Sequence, residues 1–236
     1  MELVHALNRG VDKRNIFLDT QDYARFVHDM FEFNSTLPAG NTYRHFDPLT
    51  MRDIVSPSLL GDKKGRNADS HERLVDIHGW VLMKNHYHLL LSERVEGGLS
   101  LFLRKLNIGY AKYFNEKYER SGTLFQGRTK KVLISEQSQF LYILHYVHLN
   151  PLDYLEGSED WRVRDHGSVL SVSTALSYLQ TYRWSSYLDY CGIHNFPSIL
   201  TTSLFKNEDV FNDIQKSVKD YLRDTQTELF TKLTLE

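Results

Sequence analysis

Two pairs of residues in this sequence have types and spacings that can do chemistry. The first is His86 and His88, in "LMKNHYHLLLSE". In an extended segment residues two apart point to one side, so both imidazoles share a face with Leu90, while Tyr87, Leu89 and Leu91 share the other. An apolar core can then be built without either histidine. Neutral imidazole ligates divalent metals, and two such ligands leave coordination positions open for oxygens. Solvated or hydrogen-bonded histidines fit the same spacing, so the pair alone does not decide. The second pair lies in "LYILHYVHLNP". At about 100° per residue, Phe140, Leu144 and Val147 define a core side of a helix, with Gln139, Tyr142, Tyr146 and Asn150 opposite. Tyr146 and Asn150 are one turn apart and therefore neighbours. An amide oxygen beside a tyrosine hydroxyl, at a helix end that Pro151 stops, can complete a metal site next to a nucleophile. A packed tyrosine and a capping asparagine would look the same in the sequence.

Elements must exist to hold these residues. "ELVHALNR" reads as a strand ending at Gly10, and "DTQDYARFVHDMFEF" as an amphipathic helix capped by Asp19 or Thr20. Residues 34 to 75 contain Pro38, Pro48 and Pro57 and a polar run without a sustained period, which marks an insertion or loop. "DIHGWVLM" and "HYHLLLS" are strand-like and meet at Lys84 and Asn85, as in an antiparallel hairpin. Leu99, Phe102, Leu103, Leu106, Tyr110 and Phe114 repeat at helical spacing. A loop and short strand follow, "SGTLFQGRTKKVLIS", and then the helix of Tyr146. Downstream, "TALSYLQTYRWSSYLDYCG" and residues 203 to 233 read as helices and connections, the last packing on the body or on a second subunit. The pattern predicts an α+β fold: a central antiparallel sheet carrying the histidines, with the outer face of the tyrosine helix against them.

Composition narrows the class. The chain has 236 residues, 41% of them hydrophobic, enough for one sizeable core with an appendage. The single cysteine, Cys191, can form neither an internal disulfide nor a cysteine-rich zinc site. No run approaches the roughly 18 apolar residues of a membrane span, and no secretory leader is visible, so a cytoplasmic location is expected. A formal net charge of −2 argues against a globally basic surface while allowing a local basic groove.

Four motifs in order, "LMKNHYHLLL", "LFQGR", "HYVHLNP" and "YRWSSYLDY", resemble those of the single-tyrosine HUH transposases, in particular the REP-associated tyrosine transposases. "HALNRG…IFLDTQDYARF" is similar to that family's first strand and helix. The resemblance covers most of residues 3 to 190. It implies a ferredoxin-like sheet in a domain over 1–190, an insertion at about 34–75, and a helical extension over 191–236. It also implies His86 and His88 as paired metal ligands, Tyr146 as the nucleophile, Asn150 as a third, amide-type ligand, and Mg²⁺ or Mn²⁺ as the ion. The implied partners are single-stranded DNA that forms hairpins and a second copy of the chain. The implied product is a 5′-phosphotyrosine with a free 3′-hydroxyl, so that rejoining needs no nucleotide cofactor. Lys84 stands where many relatives have proline, which predicts a looser turn into the histidine strand. Residues 34–75 and 154–175 are longer than in the family pattern.

DNA contacts are expected from "YERSGTLFQGRTKK", in which Arg120, Arg128, Lys130 and Lys131 can neutralise phosphates and Phe125 can stack on an unpaired base. A solvated charged face is the plainer explanation of the same run. Arg9, Arg104, Lys105 and Lys112 are further candidates for that groove. His145 and His148 flank the tyrosine on other faces and are expected to pack, as is Trp184. Two further functions fit the residues: a hairpin-binding module without productive transposition, and a metal-dependent phosphodiesterase that uses activated water.

Overall fold

The strand that organises the molecule is the first one, β1 (Leu3–Arg9), because it pairs on both sides. β3 (His86–Glu93) lies antiparallel on one flank and β4 (Lys130–Ile134) on the other, with β2 (Val75–Met83) outside β3. This computed structural model describes residues 2–38, 72–158, 161–162, 171–208 and 211–223. Among them the strands form one antiparallel sheet in the order β2-β3-β1-β4. With helix α1 (Thr20–Glu32) between β1 and β2 and helix α2 (Gly98–Lys117) between β3 and β4, this is the expected ferredoxin-like βαββαβ succession. β2 and β3 meet in a hairpin at Lys84 and Asn85, as the sequence pattern predicts.

Helices cover both faces of the sheet. α1 and α2 pack on the face carrying Ala6, Trp80, Tyr87, Leu89 and Leu91. Helix α3 (Gln137–Leu149) packs with Leu3, Val81, Met83 and Leu90 on the other. This double cover explains why β3 reads as a nearly continuous apolar run: all its residues but the last are buried. Helices α4 (Val172–Thr181), α5 (Tyr187–Tyr190), α6 (Ser203–Lys206) and α7 (Ile214–Arg223) complete the second layer. Phe205, Phe211, Ile214, Val218 and Tyr221 share a cluster with Tyr146 and Val147, so the C-terminal extension packs on the body, over α3. The part of that predicted helical stretch after residue 223 lies outside the described residues.

Side chains and irregular segments tie the elements together. α1 begins with a capping box between Asp19 and Asp22, and Lys117 from the end of α2 bridges both carboxylates. The segment holding Trp184 and Ser186 runs along the outer edge of β2, where Leu82 N donates to Trp184 O at 2.9 Å and Ser186 N to Trp80 O at 3.0 Å. That covers an edge otherwise open to pairing. Most of the 34–75 stretch lies outside the described residues, but both its ends are held. The Asn34 side chain donates to Val75 O and accepts from Val75 N, both at 2.9 Å. The ammonium of Lys105 donates to Ser35 O and Leu37 O. The Lys84 turn is not loose: its N–H donates to the Tyr154 hydroxyl at 2.7 Å, and its carbonyl accepts from Ile16 N and Phe17 N. Proline at this position could not make the first of these bonds.

Two outcomes follow from the packing. A Cβ on Gly109, inside α2, would lie 2.3 Å from the Phe33 ring. Gly109→Ala gains about 1 kcal/mol of helix propensity but overpacks at a cost of about 1–3 kcal/mol, so thermal denaturation should show no gain and a loss of up to about 8 °C. His78 is buried, with Nδ1 donating to Thr201 O and Nε2 accepting from the Ser92 hydroxyl, and burial lowers its pKa. Below about pH 6.5 the unfolded chain binds this proton and the folded one resists it, so stability should fall as pH drops through that value and on to the lower folded pKa. The slope is at most about 1.4 kcal/mol per pH unit, and His78→Gln should flatten it in denaturant titrations at pH 5 to 7.

Candidate active site

Strand register decides which residues share the histidine face. Arg9 pairs with His86, Leu7 with His88, and His5 with Leu90 across β1 and β3, while Leu7 also pairs with Lys130 on β4. Cross-strand partners point to the same side, so His5, Leu7, Arg9 and Lys130 lie on the face of His86 and His88. Helix α3 roofs this face and brings Tyr146 onto it. The Tyr146 ring meets His88 edge-on at 5.6 Å between centroids and His5 at 5.8 Å.

The two histidines are held differently. His86, 8% exposed at the rim, has its Nδ1 2.6 Å from Asn85 Oδ1. The Asn85 amide is oriented by its donation to Lys13 O, so His86 Nδ1 carries the proton and a metal would be taken at Nε2. His88 is wholly buried, and its Nδ1 lies 2.9 Å from Nε2 of His5, the two rings stacked at 5.1 Å. For His88 to ligate through Nε2, Nδ1 must donate to His5, which then orients the ligand as outer partners of metal-binding histidines do.

The tyrosine and the asparagine depart from the sequence expectation. Their side of α3 is not exposed. Every residue from Ile143 to Asn150 is buried, because the sheet lies beneath the helix and α4 to α7 lie around it. Tyr146 has 0% of its surface exposed; Trp161 packs on it at 6.0 Å, and the Arg162 guanidinium carbon stands 5.8 Å from its ring centre. Asn150 donates from Nδ2 to Tyr146 O at 2.7 Å, and its Oδ1 accepts from Arg162 Nη2 at 2.8 Å. Arg162 also grips Asp153 through Nη1 and, at 2.9 Å, through Nη2. The donor set therefore fits a divalent ion in part. His86 and His88 share one face, whereas the oxygen through which Asn150 would ligate is already bonded to a cation. Among the described residues no group of three His, Cys, Asp or Glu side chains could hold a metal ion.

Other expected contributors are sorted by position. Phe125 is a correction: it is only 8% exposed and packs against Tyr87 and Tyr110, so it is not presented to stack on a base. Lys130 and Arg9 share the histidine face, and Arg128 is exposed nearby in the chain. Lys131, one residue on, faces the other side and donates to Ser100 Oγ on α2. Arg104 and Lys112 are exposed on α2, in the layer across the sheet from Tyr146, so they do not join the same groove. Lys105 there anchors the start of the 34–75 stretch, and Arg120 bonds Asn115 at the end of α2. His145 and His148 pack as expected, bonding Ser217 and Ser186; burial holds His148 well below the ordinary histidine pKa. Trp184 stacks on Tyr23 at 5.0 Å, a core role. His5, Trp161, Arg162 and Asp153 were not anticipated. Only register could have exposed His5, and the other three sit around a helix end in irregular sequence with no periodic signal.

The His5 pairing has a measurable consequence. His5→Phe keeps a ring of similar size and removes the bond to His88. With Mn²⁺ taken at Nε2 of His88, it should weaken that binding by about 10- to 100-fold in a spectroscopic titration, with His5→Asn restoring part of the loss.

No protein-family model matches the chain, and no curated protein matches it. A solved structure described as a REP-associated tyrosine transposase bound to a REP hairpin aligns with a TM-score of 0.42 and 12% sequence identity, over 85% of this chain and 84% of that one.

Proposed function

We propose that this chain cuts and rejoins single-stranded DNA at hairpin-bearing ends through a covalent intermediate on Tyr146. The observation that carries the reading is the meeting of Tyr146 with His88 and His5 on the face that also presents His86. His86, His88 and Tyr146 come from the two motifs whose spacing first suggested a metal-assisted nucleophile, and strand register adds His5. A homodimer is the expected assembly, in which the tyrosine acts in cis or in trans.

In the proposed step the Tyr146 oxygen attacks the scissile phosphorus, loses its proton, and displaces the 3′-oxygen, which leaves as a hydroxyl. The new bond is a 5′-phosphotyrosine, and attack by a 3′-hydroxyl reverses it and rejoins the strand. A free tyrosine has a pKa of about 10, so the site must ease proton loss beside an anionic phosphate. Mg²⁺ or Mn²⁺ held through Nε2 of His86 and His88 would supply Lewis-acid charge at that phosphate. His5 fixes the ring of His88. Arg9 and Lys130, at the margin of the same face, neutralise the flanking phosphates, with Arg128 close by in the chain.

One observation favours a second reading, a hairpin-binding module without strand transfer: Tyr146 is wholly buried, with Trp161 and Arg162 packed against it. A single experiment separates the readings. The protein is incubated with hairpin-containing single-stranded DNA and Mn²⁺, and a denaturant-resistant protein–DNA adduct is sought. The transferase reading expects an adduct that falls to background in Tyr146→Phe. Retention of the adduct in that variant overturns the assignment of the nucleophile. Cleavage without an adduct indicates a phosphodiesterase using water, and binding alone indicates the module.

A further inference from the structure

We propose that Arg162 takes the place of the metal at Asn150: the amide is a positioning group clamped between Arg162 and the Tyr146 backbone, and the ion in this chain is held by His86 and His88 without it. The inference rests on the transferase reading only for the presence of a metal at the histidines. Its geometry is independent of that reading.

The orientation of the amide is set by its neighbours. One end faces the carbonyl of Tyr146, which can only accept, and the other faces a guanidinium, which can only donate. Reversing the amide would set donor against donor and acceptor against acceptor. Oδ1, the one atom through which Asn150 could ligate, is thereby turned to Arg162 at 2.8 Å. The guanidinium is itself fixed, because both its terminal nitrogens reach the Asp153 carboxylate and its central carbon lies 4.4 Å from the centre of the Trp161 ring. Trp161 Nε1 donates to the same carboxylate at 2.8 Å. Asp153 follows Asn150 by three residues within the 3-10 turn Asn150–Tyr154, so a short piece of backbone sets the spacing of the clamp.

A divalent ion on the same oxygen would stand within a few ångströms of this guanidinium in a buried setting, where like charges repel strongly. The carboxylate of Asp153 is already committed to Arg162 and Trp161, which limits how far it can screen a second cation. Asn150 and Arg162 thus form one rigid unit that fixes the last turn of α3, and with it the height of Tyr146 over His88.

Mn²⁺ titration of the full-length protein without DNA, read by the electron paramagnetic resonance of the free ion, tests the assignment. His88→Ala should weaken binding by at least tenfold. Asn150→Ala should leave the affinity within about twofold of the wild type, whereas loss of a ligating residue or its support costs 10-fold or more. Arg162→Met, which keeps the length and removes the charge, should tighten binding severalfold by freeing the amide oxygen. Thermal denaturation of each variant identifies any that fail to fold, with Asn150→Ser as the replacement if Asn150→Ala does.

A loss in Asn150→Ala as large as that in His88→Ala overturns the proposal. So does unchanged or weaker binding in Arg162→Met, or the absence of Mn²⁺ binding in both wild type and Arg162→Met. Because no DNA is present, these outcomes are distinct from failure to form an adduct, which would sink the transferase reading and leave the order of affinities standing.

Discussion

The arrangement depends on one constraint: the histidine face of the sheet is roofed. In most half-covered antiparallel sheets, polar residues on the outer face find water. Here α3 lies over that face and α4 to α7 surround α3, so each imidazole and amide beneath must find its partner within the chain. A buried polar group without one costs about 1–3 kcal/mol. His5 against His88, His148 against Ser186 and Asn150 between Arg162 and a backbone carbonyl all answer that demand. The same bonds that satisfy the interior also fix ring orientation and tautomer, which turns a packing requirement into preorganisation.

The roof has a second effect on charge. Water is excluded around Tyr146, so charges placed there act over short distances with little screening. Arg162 enters this space and brings its counter-charge with it in Asp153. Along the margin the alternation of β4 separates neighbours that are equivalent in composition: Lys130 turns to the histidine face and Lys131 to α2. A chain of net charge −2 can therefore present basic groups beside its site without being basic overall.

The long stretch after α1 leaves and returns at one point, stitched by the Asn34 amide to Val75 and by Lys105 to two carbonyls. Its ends are held on the α1 and α2 side of the sheet, while Tyr146 is held on the other. The Trp184 segment closes the β2 edge and stacks on Tyr23 at the side of α1, tying the two layers together around the sheet.

Period and punctuation were legible in the sequence. The alternation of β3, the cap at Asp19, the helical spacing from Leu99 to Phe114 and the stop at Pro151 are local properties of the backbone, and each element appears where its residues placed it. His86 and His88 on one face, and Tyr146 one turn from Asn150, follow from the same two periods. Local periods cannot say what lies above an element. The C-terminal helices made the supposed outer side of α3 an interior one, and packing on Tyr87 and Tyr110 turned Phe125 inward. Strand register brought His5 to His88 across 83 residues of chain, and an irregular segment brought Arg162 to Asn150. The types of group available for chemistry were thus set by the sequence alone. Which of them touch, and which oxygen is already taken, was decided by long-range packing, where the burial of one residue depends on segments far away in the chain.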